Sequence, residues 1–73
     1  MYVEDKQDIV KSLERSLRCR SSSINQDTIT SVHYHAKQNN ESISIHEVET
    51  HLRRAVFNNE INEVLVFYEI VHE

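Results

Sequence analysis

Seventy-three residues, 38% of them hydrophobic, with a formal charge of −4 and a single cysteine, hold apolar surface for one core and not for two, so residues 1–73 read as a single domain. Cys19 has no partner within the chain, which excludes an internal disulfide and suits a reducing, cytoplasmic setting. The charge is uneven: residues 1–22 carry five Lys/Arg against four acids, and residues 23–73 carry three against eight, so phosphate backbones are repelled overall and nucleic-acid binding is disfavoured.

The opening residues, Met1 to Lys6, are acidic early and lack the apolar run of a secretory signal. The longest apolar stretch, Val64 to Tyr68 followed by Ile70 and Val71, falls far short of the roughly 20 residues that span a bilayer, so no membrane partner is expected. Glycine and proline are both absent. Tight hairpins and left-handed turns usually recruit glycine, and its absence favours helices joined by the polar turns Ser21-Ser22-Ser23, Gln38 to Ser42, and Asn58-Asn59.

In chain order, Ile9, Leu13 and Leu17 stand at i, i+4 and i+8 with Val10 beside them, predicting a helix over about residues 4–19. Its wet side carries Lys6, Lys11, Glu14, Arg15 and Arg18. Ile29, Val32, His33 and Ala36 form the next helical set, over about 24–38, with Ser23 and Gln26 spaced as a capping box at its start. Ser44 and Glu47 repeat that spacing ahead of Val48, Leu52, Ala55 and Val56, predicting a helix over about 45–57. Asn58 or Asn59 is then placed both to end that helix and to cap a fourth, in which Ile61, Val64, Leu65 and Tyr68 share one face.

The final segment admits two conformations. Val64 to Val71 is apolar nearly all round, and its β-branched residues favour strands. A helix is preferred because no good antiparallel partner exists; Ile43-Ser44-Ile45 would be a very short one. The expected fold is therefore all-α, a small bundle of three to four short helices with Leu13, Leu17, Ile29, Val32, Val48, Leu52, Val56, Ile61, Leu65 and Tyr68 in its core. A helix apolar on every side must be covered on every side, and small domains gain stability from association. The expectation is a homodimer, with Val64, Phe67, Ile70 and Val71 as the interface and with Val66 on the same uncovered side.

Chemical motifs are sparse. His46-Glu47-Val48-Glu49-Thr50-His51 looks superficially like a zinc-peptidase helix, but that motif needs histidines four apart on one face. His46 and His51 are five apart, about 140° around the helix. His33 and His35 diverge as well; His33 is expected at the edge of the core and the other histidines in solvent. No metal, cofactor or catalytic residue is assigned, because the sequence offers no glycine-rich phosphate loop and no nucleophile with a neighbouring base. Five histidines could make assembly pH-sensitive between about pH 5 and 8. Cys19, beside Arg18 and Arg20, is read as an incidental thiol.

A DNA-binding alternative places helix 45–57 in the major groove of a winged helix-turn-helix, as in repressors of plasmid or phage type, with Arg53 and Arg54 as its phosphate contacts. Glu47 and Glu49 at the start of that helix oppose it. A third alternative is an antitoxin-like inhibitor that masks a basic partner with the acidic half.

The order Asp8-Ile9-Val10, Asp27-Thr28-Ile29 with Val32, the turn Asn39 to Ser44, Val48, Leu52 and Tyr68 resembles the YmgB/AriR family of small enterobacterial two-component-system connectors over about residues 8–72. The chain has Ser12-Leu13 where that family commonly has an aromatic pair, and Asn39-Asn40 where it has a glycine. The resemblance implies an all-helical dimer that modulates regulatory signalling in biofilm and acid-resistance control through a regulatory protein partner. It carries over no catalytic residue.

Overall fold

The computed structural model describes residues 3–19 and 24–72. They form four helices, α1 (Lys6–Arg18), α2 (Gln26–Lys37), α3 (Ile45–Phe57) and α4 (Ile61–Phe67), with no strand among the described residues. The chain is an all-α bundle. In it α3 packs against each of the other three helices, and α1 also lies against α2 and α4.

Asp5 caps α1, accepting the Asp8 N–H at 2.9 Å, while Arg15 and Arg18 in its last turn face the negative end of the helix dipole. Ile9 and Leu13 are fully buried, Leu17 is half-buried against the same core, and the predicted wet side is exposed. Ser12 and the buried Thr28 share a hydrogen bond of 2.8 Å between α1 and α2, so neither hydroxyl is left unpaired at the contact.

The predicted α2 cap, Ser23, lies outside the described residues, as do Ser21, Ser22 and Arg20. The cap in place is Asn25, whose side chain accepts the Asp27 N–H at 2.8 Å. Ile24, just before it, and Ile29 are both buried, at the two positions of a hydrophobic staple. For α3 the predicted boundaries and cap are the observed ones, with Ser44 Oγ accepting the Glu47 N–H at 3.1 Å.

Two helix ends are reversed by left-handed residues that are not glycine. After α3, Asn59 takes φ 58°, and the Glu60 and Asn59 N–H groups donate to the Ala55 and Val56 carbonyls at 2.7 and 3.4 Å. After α4, Glu69 takes φ 60°, and the Ile70 and Glu69 N–H groups donate to Leu65 and Val66 at 2.8 and 3.0 Å. Both are Schellman closures, which satisfy the last carbonyls of a helix at the cost of one strained residue. Asn59 is committed to the left-handed position, so it does not cap α4 as expected; Glu60 precedes α4 with no side-chain cap.

The second closure corrects the expected uncovered final helix. The segment is helical, as preferred over the strand, but it stops at Phe67. The reversal at Glu69 then folds Ile70 back into the chain's own core, where it is 4% exposed, and Val64 is 3% exposed. Nine of the ten predicted core residues are buried and only Leu17 is half-buried, while Ile9, Ile24, Ala36, Ala55, Val64 and Ile70 complete the core.

Candidate protein interface

Val64 and Ile70 are unavailable as interface residues, since they already fill the core. Val71 is half-buried against it, and Val66 is likewise half-buried. Phe67 is the expected interface residue that remains open, at 64% exposure. The seven residues of α4 explain the division: Ile61, Val64, Leu65 and Tyr68 turn inward at i, i+3, i+4, i+7, which leaves Phe67 on the flank beside Glu63. Phe57, overlooked on sequence, is 83% exposed. The available signal was its place one residue beyond Val56 and five beyond Leu52, off the inward stripe.

Phe67 is held by neighbours. Its ring stands edge-on to His51 at 5.3 Å and to Tyr68 at 5.1 Å, and His51 stands edge-on to Tyr68 at 5.3 Å. His51 Nδ1 is hydrogen-bonded to the Tyr68 hydroxyl at 3.0 Å, tying α3 to the end of α4. Beside this cluster runs a groove of about 390 Å³, with His51 and Arg54 on the α3 side, Glu63 and Phe67 on the α4 side, Glu60 at the turn, and Ala55 and Val64 at its base.

The charges of this groove are segregated. Glu63 lies against Glu60, and the hydrogen bond between them, followed by their mutual repulsion and slight burial, raises the Glu63 pKa above the ordinary carboxylate value. Arg54 has no ion-pair partner among the described residues, whereas Arg53 is taken by Glu49 at 2.7 Å one turn back. Arg53 and Arg54 are both exposed and, as consecutive residues on a helix, point about 100° apart.

Burial, and then the negative charge of Glu47, raise the Tyr68 pKa above its ordinary value near 10. A raised phenol pKa means that the folded state favours the protonated form. Its stability contribution is complete below the ordinary value and disappears as pH climbs through the raised one. Wild-type protein is therefore expected to lose more stability between about pH 9 and 11 than Tyr68→Phe, as read by urea midpoints. Equal losses would show that the hydroxyl is not burdened in this way.

Two histidines expected in solvent are built into the fold. His35 Nε2 donates to the Glu4 carbonyl at 3.0 Å, and His51 sits in the aromatic cluster. His33 lies at the core edge as expected, donating through Nε2 to the Ile43 carbonyl at 3.1 Å. His46 and His72 are exposed, as is Cys19. Among the described residues no three His, Cys, Asp or Glu side chains are grouped to hold a metal ion, and no helix is long and apolar enough to cross a membrane. A wider surface depression of about 730 Å³ runs along α2 between His33, Tyr34, Lys37 and Glu41, where the Tyr34 ring is less exposed than Phe67.

The class that the fold and this face define is a small helical bundle with an aromatic-flanked groove between α3 and α4. No protein-family model, no curated protein and no solved structure matches the chain.

Proposed function

We propose that the chain is a small, non-catalytic regulatory module that binds other protein chains, its own copy included, through the α3–α4 face around Phe67. The carrying observation is the exposed Phe67 ring fixed between His51 and Tyr68. An aromatic side chain already ordered before contact forfeits little entropy on binding, and such anchors carry most of the affinity of protein interfaces. A role as a connector between regulatory proteins, acting in the cytoplasm on two-component signalling, is the form of this function that the YmgB/AriR resemblance suggests.

Phe67→Asp tests it. Because the ring is largely exposed, the variant should keep its helical circular dichroism and lose no more than about 1 kcal/mol of stability. Capture of a regulatory protein from the native host should fall at least about tenfold, since a charge at a buried contact is left unpaired. Equal capture by wild type and variant, or capture of nucleic acid alone that weakens with salt, would overturn the proposal.

A further inference from the structure

We propose that the occupant of the α3–α4 groove is a second copy of this chain, docked by a twofold axis running along the groove so that α3 of each protomer lies against α4 of the other. In this arrangement Arg54 of one protomer meets Glu60 and Glu63 of its partner, and each Phe67 packs over the other's His51. The inference rests on the preceding reading, that this face makes protein contacts, and names the partner.

The groove walls carry opposite signs. α3 and α4 run antiparallel, because the turn joins Glu60 to Ala55 at one end while Phe67 reaches His51 at the other. Arg54 therefore belongs to one wall and Glu63 to the facing one, with Glu60 at the turn beside them. Within one chain these charges are not matched as ion pairs: the two acids adjoin each other, and Arg54 lacks an ion-pair partner among the described residues.

That pattern selects among partners. A basic partner would satisfy Glu60 and Glu63 but set a positive charge against Arg54. An acidic partner would satisfy Arg54 and crowd the two glutamates. The complement is a surface with the same two walls in exchanged order, which a twofold axis parallel to the groove generates from the chain itself. Opposed walls of this kind fix register and exclude wrong partners.

The experiment is a charge exchange on the full chain, read by sedimentation equilibrium with circular dichroism as the check on folding. Wild type should dimerise at about micromolar to submillimolar concentration. Arg54→Glu alone, and Glu60→Lys with Glu63→Lys together, should each weaken self-association at least about tenfold while remaining helical. An equimolar mixture should restore the dimer, because each like-charge clash then becomes an attraction. Wild-type monomer at about 1 mM, wild-type-like dimers in either variant, or a mixture that stays monomeric would each overturn the second copy as occupant. A monomer that still captures another protein through Phe67 would overturn this inference and leave the preceding function standing.

Discussion

Leu52→Ala is expected to lose about 2–5 kcal/mol of folding free energy, the range for removing a large aliphatic side chain from a core that cannot collapse around the gap. Leu52 is 0% exposed and lies on α3, which packs against each of the other three helices. A single core in a chain this small supplies only about 3–5 kcal/mol, so the substitution removes most of the available stability. Thermal and urea unfolding followed by circular dichroism should show a largely unfolded population at room temperature. A loss below about 1 kcal/mol would mean that the helices around Leu52 are not closely packed.

The second large effect is expected at Glu69, with a sign that depends on the replacement. Proline fixes φ near about −65°, opposite to the observed φ of 60°, and it removes the N–H that donates to Val66. Glu69→Pro should cost about 3 kcal/mol or more, because the reversal that returns Ile70 to the core cannot form. Glu69→Gly should raise stability by up to about 1 kcal/mol by relieving the left-handed strain that a side chain imposes. Melting temperatures of the two variants on either side of wild type would bear out both expectations. A proline variant that melts with wild type would remove the structural basis for the burial of Ile70.

These two positions also mark where sequence patterning succeeds and where it stops. Leu52 is legible because the cap Ser44 and the spacing of Val48, Leu52, Ala55 and Val56 are local, and local signals set both ends of α3. Glu69 is not legible, since glutamate rarely adopts positive φ and nothing adjacent announces it. The expectation of an uncovered final helix fails at that residue: with the reversal unseen, Ile70 counts as surface when it is core.

The candidate face is legible in part for the same reason. Phe67 falls off the inward stripe of α4 by simple helical geometry, and its exposure follows. The groove beside it does not, because it depends on α4 doubling back along α3 until Phe67 reaches His51. The places of His35 and His51 are not legible either, since their hydrogen-bond partners, Glu4 and Tyr68, are 31 and 17 residues away. Contacts of that span are made by tertiary folding and leave no periodic trace.

Sequence distance also orders how the molecule closes. Helices α2, α3 and α4 are joined by the short segments 38–44 and 58–60, so docking them encloses small loops and surrenders little chain entropy. The segment before α1 is different: the Glu4 N–H reaches Ser31 Oγ at 2.8 Å across 27 residues, and its carbonyl takes the His35 hydrogen across 31. The leading strap is thus a long-range latch on a locally assembled body, expected to fasten last during folding and to exchange its amide hydrogens first in the native state.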